Sequence, residues 1–423
     1  MTPEHVVIVG SSVAGIRTGQ ALRTGGFDGK ITVLGAENEQ PYDKPPLSKQ
    51  FLSGDKREID IGLLGAPGWE GNNLEPRLGV AAKSLDAAAK TVFLENGESI
   101  SYDHLVLATG AKARKLLGPD GTPAAYSIRD LGDARELRDR IRSGGPVVVV
   151  GGGFVGAEAA ATASALGAPT TLVEAAEVPF ARVLGPAVGQ MLTELHELNG
   201  VTILAGVGVE SVNPQSDGSS LVTLADGRTL EAWTVIAGIG VIPNTEWLQD
   251  SGLPLKDGVV CDEYCRVEGF QDIYAIGDVA RWKHAGTGEY RRVEHWTNAV
   301  DQANLVAANI LNPLAHKAYV PAPYFWSDQY DAKIQMIGEV SLEADVTIRE
   351  FKVMANHKKV ALYSSEGALT AAVSLGWPRA MVTLRRLWAH GATLQETIAA
   401  LDELARSAVR VRSTVPSAQL QSS

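Results

Sequence analysis

The hexapeptide Gly151-Gly152-Gly153-Phe154-Val155-Gly156 has the spacing GxGxxG, between a run of four valines, Val147 to Val150, and an alanine-rich helical stretch through Leu166. Glycines there permit a tight turn and let the backbone approach a pyrophosphate at a helix N-terminus. The next strand, Thr170-Thr171-Leu172-Val173-Glu174, ends on a carboxylate 23 residues after Gly151. A carboxylate at that place hydrogen-bonds a ribose 2′-hydroxyl. Ala175 and Ala176 follow, and no base precedes Arg182 to neutralise a 2′-phosphate. Gly151, Gly153, Gly156 and Glu174 therefore predict a site for NADH rather than NADPH.

A related pattern opens the chain. Val6 to Val9 lead into Gly10-Ser11-Ser12-Val13-Ala14-Gly15, a helical stretch to about Arg23 and the strand Ile31 to Leu34. Ser12 stands where the second glycine of the motif belongs, so this loop alone is compatible with nucleotide binding or with plain packing. A further apolar strand, Asp272 to Ile276, delivers Gly277 and Asp278 at its end. Asp278 is placed either to hold a sugar-like chain or to cap a following helix.

The elements that must position these residues are two βαβ units, each a buried parallel-type strand, a glycine turn, a helix and a second strand. Between them lies His104 to Thr109, with a counterpart at Thr234 to Gly240. After Pro321 the pattern changes to strands near Lys333 to Ile337, Val346 to Phe351 and Val360 to Tyr363, then helix from about Arg379. The expected fold is α/β: two Rossmann-like dinucleotide-binding domains and a C-terminal α+β domain. The expected boundaries are 1–112 with 245–322, then 113–244, then 323–412, with a flexible tail over 413–423.

Composition narrows the function. The 423 residues carry a net charge of −11, which disfavours non-specific nucleic-acid binding. Two cysteines exclude a disulfide scaffold, and the eight histidines form no HxH or HxxxH pair, so no metal site is predicted. The first strand begins almost at the initiator Met and no apolar stretch is long enough for a membrane span, so a cytoplasmic, reducing location is expected. Cys261 and Cys265, if on one extended strand, would lie roughly 13 Å apart, beyond the disulfide limit of about 7 Å. Both read as structural.

Seven motifs occur in order: Pro41-Tyr42-Asp43-Lys44-Pro45-Pro46-Leu47-Ser48-Lys49, Ala108-Thr109-Gly110, Gly151 to Glu158, Ile242-Pro243-Asn244, Ile276 to Ala280, Val293 to Ala299, and Phe325-Trp326-Ser327-Asp328-Gln329. By these motifs the chain resembles the oxygenase-coupled NADH:ferredoxin reductases, within the two-dinucleotide flavoprotein superfamily of glutathione reductase. The resemblance runs from about residue 4 to about residue 410. It implies FAD on the first βαβ unit and NADH on the second. Carried over by motif, the FAD contacts are Gly10, Ala14, Gly15, Ala36, Lys49, Ala82, Arg129, Asp278 and Trp296, with Ser12 in the phosphate turn.

Ala36 departs from relatives that carry Asp there, and Glu37 is the expected substitute. The resemblance also implies that Lys49 and Glu158 pair beside the flavin and that Trp326 faces the electron acceptor. No redox thiol pair stands where disulfide reductases of this fold carry one. Electrons are therefore expected to leave by contact with a partner, a [2Fe-2S] ferredoxin, from a monomer or weak homodimer. Arg281, Lys283, Arg291 and Arg292, against Glu289 alone, suggest either a positive docking island or a solvated loop. Rubredoxin or oxygen as acceptor, and a NADH-binding interaction protein of the apoptosis-inducing-factor type, remain alternatives. The interaction-protein reading expects a partner-binding insertion or a basic face that this sequence does not display.

Overall fold

A computed structural model describes residues 4–353 and 356–413. The tail expected over 413–423 lies outside them beyond Ser413. The chain divides into two compact units, one formed by residues up to Ser143 with Ala237–Pro321, the other by Gly144–Ile236 with Ala322 onward.

The first unit is built on a five-stranded parallel sheet in the order Ile273–Ala275, His104–Leu107, His5–Val9, Lys30–Gly35, Glu75–Leu78. Its central strands are apolar at consecutive positions because both faces are covered: Val6, Val7 and Ile8 are fully buried. Ile16 and Leu22 of the helix Val13–Thr24 and Val306 of the helix Trp296–Leu311 share that core. In register, Val9 lies beside both Leu34 and Leu107, and Leu107 beside Ala275. Gly10, Ala36, Ala108 and Gly277 therefore all follow from the carboxyl edge of one sheet, where ligands bind in open α/β sheets.

The second unit carries a smaller sheet in the order Thr202–Ala205, Thr170–Glu174, Val147–Val150, Thr234–Ala237. With it goes an antiparallel five-stranded sheet, Tyr324–Gln329, Ala332–Gly338, Ala368–Leu375, Asn356–Ser365, Asp345–Val353. Alternation along a strand splits this second sheet between two cores. Ala361 and Tyr363 pack with Leu184, Val188 and Leu192 of the helix Ala181–Leu198, whereas Val360 and Leu362 pack with Trp377, Met381 and Leu384 of the helix Pro378–Ala389 and its surroundings. Tyr363 anchors the first contact by donating its hydroxyl to the Leu184 carbonyl at 2.6 Å.

Two details differ from expectation. The helix Leu131–Arg142, placed by sequence in the segment starting at 113, buries Leu131 and Ala134 against Tyr42, Leu47, Phe51 and Ile61 and so belongs to the first unit. The stretch between the cysteines is no extended strand: the strand Val259–Cys261 ends there, and Cys265 sits at φ 59° in a turn closed by its N–H onto the Asp262 carbonyl. Both thiols are free and fully buried, and burial pushes each of them up. Among the described residues no helix is long and apolar enough to cross a membrane.

Candidate functional site

At the carboxyl edge of the first sheet, two glycines are required by contact. A Cβ on Gly10, at φ 126°, would lie 2.1 Å from the Ala108 carbonyl oxygen, and one on Gly15 would lie 1.9 Å from that of Gly10. The turn is thus as tight as the motif demands. Ser12 occupies the N-cap of the helix Val13–Thr24 with extended backbone, and its hydroxyl makes no capping bond. Ala14 reaches the neighbouring turn, because a Cβ on Gly277 would lie 3.4 Å from its own.

Asp278 follows Gly277 in a single 3₁₀ turn rather than at a helix start. Arg129 binds its carboxylate at 2.7 Å and the Ala111 carbonyl at 2.6 Å, tying together two residues expected to contact one cofactor. Gln302 receives the Gly277 N–H at 2.8 Å while its own amide nitrogen, fully buried, has no partner. An orphaned buried donor beside a glycine cradle fits a ligand rich in acceptors.

The other expected residues of this unit lie on several of its elements. Ala36 is exposed just past Gly35, and Ala82 begins a small antiparallel strand, Ala82–Asp86. Glu37 receives the Tyr42 hydroxyl and the Lys44 ammonium, the latter at 3.1 Å, so its carboxylate is held from within the protein. The Lys49 ammonium donates to the Pro45 carbonyl at 2.8 Å. Trp296 donates its indole N–H to Asp43 at 2.6 Å, and burial pushes the Asp43 carboxyl up despite that bond. Asp43 was not singled out from sequence, although the Pro41 to Lys49 motif contains it. His295, one residue before Trp296, is held down at about 4 by burial against the pull of Asp278.

The second glycine turn repeats the logic. A Cβ on Gly156 would lie 2.1 Å from the Gly151 carbonyl oxygen, and Gly151 sits at φ 103°. Around Gly153, the N-cap of the helix Phe154–Ala165, a Cβ would meet nothing within 4 Å, so packing does not demand a glycine there and the position is open. Glu174 receives the Gly152 N–H at 2.6 Å and the Ala176 N–H at 2.8 Å. Its carboxylate is thereby fixed against the turn, with acceptor capacity left over for a sugar hydroxyl.

Glu158 lies on the same helix, buried, and accepts the Ser327 hydroxyl at 2.6 Å. Ser327 comes from the strand Tyr324–Gln329, which alternates: Phe325, Ser327 and Gln329 share one face, Tyr324 and Trp326 the other. Phe325 meets Phe154 at 4.3 Å between ring centroids. Trp326 stacks with Tyr324 at 6.2 Å, and the guanidinium of exposed Arg385 lies over the Tyr324 ring at 4.9 Å.

The basic stretch, read from sequence as either a docking island or a solvated loop, is largely neutralised. Arg281 and Arg292 reach Asp257 at 3.5 and 3.3 Å, Arg292 also binds Glu294 at 2.7 Å, and Arg291 pairs with Glu289 at 3.4 Å. Sequence proximity missed Asp257, which folding brings back onto these bases.

Two glycine cradles at the carboxyl ends of parallel strands, each with a carboxylate beside it, define a two-nucleotide protein of the flavin reductase class. Residues 4–303 match the pyridine nucleotide-disulphide oxidoreductase family and residues 324–408 the reductase C-terminal family. The chain belongs to the pyridine nucleotide-disulphide oxidoreductases: it is an oxidoreductase, and FAD and NAD(H) are its cofactors. It is 37% identical over 334 residues to the rhodocoxin reductase of Rhodococcus erythropolis, covering 79% of this chain and 78% of that one. It is 34% identical over 393 residues to the ferredoxin–NAD(+) reductase component of the anthranilate 1,2-dioxygenase system of Burkholderia cepacia, covering 93% and 96%. Among solved structures, that of the covalent putidaredoxin reductase–putidaredoxin complex aligns with a TM-score of 0.85 at 30% identity, over 94% of this chain and 98% of that one. The expected family and fold class are thus borne out.

Proposed function

We propose that the protein takes a hydride from NADH and passes the electrons singly to a [2Fe-2S] ferredoxin that serves an oxygenase. Two molecules of oxidised ferredoxin are reduced per NADH, with release of NAD⁺ and one proton. FAD supplies the step between them, since a flavin accepts an electron pair and returns it one electron at a time. The observation that carries this reading is the pair of cradles in a chain whose only thiols are buried and inert, so the electrons must leave to an external acceptor. One relative named above is the ferredoxin–NAD(+) reductase component of a dioxygenase system, and another is a reductase solved in covalent complex with putidaredoxin, which supports a ferredoxin as that acceptor. Buried thiols left free are in keeping with work in the cytoplasm, where the protein would act as a monomer or weak homodimer.

Each residue then has a task. Gly10, Ser12, Ala14 and Gly15 give the FAD pyrophosphate a close backbone and free N–H groups at a helix start, while Arg129 holds Asp278 for the ribityl hydroxyls. Ala36 leaves room at the adenosine end with Glu37 beside it, Ala82 flanks the same cofactor, and Trp296 is braced by Asp43. Gly151, Gly153 and Gly156 receive the NADH pyrophosphate and Glu174 its ribose. Lys49 and Glu158 set the charge around the nicotinamide, and Trp326 serves the exit. The domain assignment follows: FAD on 1–112 with 245–322 and the helix Leu131–Arg142 packed on it, NADH on the rest of 113–244, and the acceptor side on 323–412.

The test is anaerobic stopped-flow. NADH should bleach the flavin in one phase, and added ferredoxin should restore its colour while cytochrome c reduction becomes ferredoxin-dependent. Trp326→Ala should slow only the second phase. Rapid oxygen consumption with no gain from any [2Fe-2S] ferredoxin would overturn the assignment in favour of an oxidase.

A further inference from the structure

Glu158 lies on a longer row of hydrogen bonds. Ser327 donates to Glu158 at 2.6 Å, the Gln329 amide nitrogen lies 3.1 Å from the Ser327 oxygen, the Gln329 amide oxygen 2.9 Å from His196 Nε2, and the Tyr330 hydroxyl 2.9 Å from His196 Nδ1. Ser327, Gln329 and His196 are at most 1% exposed and Glu158 is 5% exposed. The row closes because Ser327 and Gln329 alternate on one strand face, and Tyr330 begins the turn after it at φ 56°, a left-handed conformation that brings its ring edge-on to His196 at 5.4 Å.

Its direction follows from chemistry at the Glu158 end. A carboxylate has no proton to give, so Ser327 must donate to it. The Ser327 oxygen then accepts from the Gln329 NH₂, which turns the Gln329 carbonyl oxygen toward His196 and requires a proton on Nε2. Nδ1 is left as an acceptor for Tyr330. Burial keeps the ring neutral by holding His196 at about 4, and it pushes the Tyr330 phenol up, so that end stays a donor. Donors aligned in one sense reinforce each other. An amide in the middle conducts protons poorly, so the row acts on orientation and charge.

We propose that Ser327, Gln329, His196 and Tyr330 are positioning residues for Glu158, a one-way row of donors that fixes its carboxyl group in one rotamer for the reaction with NADH. The link to NADH rests on the placement of Glu158 proposed above, so the test reads the row and its consequence separately.

For the row, the holoenzyme labelled with ¹⁵N-histidine should show His196, assigned through His196→Gln, as the neutral Nε2–H tautomer. Tyr330→Phe should move the Nδ1 resonance and leave the tautomer, because direction is set from the far end. A proton on Nδ1, or a charged ring at neutral pH, overturns the row. For the consequence, Ser327→Ala should slow flavin reduction by NADH about tenfold, as expected for losing a hydrogen bond to a charged group, and should have almost no further effect in a Glu158→Gln background. Equal effects in both backgrounds overturn the positioning role. Unchanged NADH kinetics in Glu158→Gln overturn the placement of Glu158 at the nicotinamide, and the consequence with it, while the tautomer still decides the row. The flavin spectrum and Tm of each variant identify any that has merely lost its fold.

Discussion

Replacing Glu174 by Ala removes one carboxylate with two internal bonds and one external task. The Gly152 and Ala176 N–H groups, at 2.6 and 2.8 Å, would be released to water, and the ribose would lose its acceptor. A hydrogen bond to a charged group contributes about 1.5–3 kcal/mol, so the lost ribose contact alone predicts about a 10- to 100-fold weaker hold on NADH. For NADPH the sign reverses, since its 2′-phosphate carries between one and two negative charges and no longer faces a carboxylate. The ratio of kcat/KM for NADH over NADPH should therefore fall by at least about tenfold, and adding Ala175→Arg should push it toward NADPH. Anaerobic reduction of the flavin by each nucleotide, with equilibrium titration of NAD⁺, separates affinity from rate. Equal kcat/KM for the two nucleotides in the unmodified protein would refute the reasoning outright, as would an unchanged ratio in Glu174→Ala.

Asp278→Ala leaves the half-buried Arg129 without its carboxylate and should weaken FAD retention by about 1–3 kcal/mol, measured as flavin released on dialysis. Ser12→Gly should leave FAD bound nearly as before, because the hydroxyl caps nothing; loss of flavin would make it a phosphate ligand. His196 binds its proton near pH 4 when folded and near 6.5 when unfolded, so the unfolded chain takes up more protons in between. Stability should then drop as pH falls from 6.5 toward 4, by up to about 1.4 kcal/mol per unit from this group, and His196→Gln should flatten that part of a Tm–pH curve. Arg291→Gln with Arg292→Gln should scarcely change the KM for ferredoxin or its salt dependence, since both bases already face carboxylates; a large rise would restore the island as a docking surface.

The nucleotide cradles are legible in local sequence patterns alone. The runs Val6 to Val9 and Val147 to Val150 are strands of the buried type, and each glycine turn sits at a fixed offset from its strand, so tertiary context had nothing to override. The binding edges were legible for the same reason. What escaped was whatever depends on long loops returning. Asp257 lies far in sequence from Arg292 yet pairs with it, so a count of neighbouring charges could not tell a neutralised stretch from a docking island. The strands Tyr324–Gln329 and Ala368–Leu375 were not predicted, because aromatic and small residues there alternate between two cores rather than between core and water. Polar Ser327 and Gln329 at alternate positions were the available signal that this strand's inner face served something other than packing.

That strand gives the C-terminal sheet a reason to share a compact unit with the second glycine turn. One face sends Phe325, Ser327 and Gln329 to Phe154, Glu158 and His196, so it braces the helix that starts at the turn. The other presents Trp326 against Tyr324, with Arg385 over the Tyr324 ring. With a period of two, the residues that steady the proposed nicotinamide side and those proposed for electron exit are neighbours in sequence yet point apart. A register slip of one residue would exchange them, placing an indole against Glu158 and a serine at the exit. The antiparallel pairing of Trp326 with Gln335, and the Gln335 amide donating to the Tyr324 hydroxyl at 2.8 Å, hold that register. The geometry of this sheet thus sets which face bonds Glu158 and which carries Trp326, the residue proposed for electron exit.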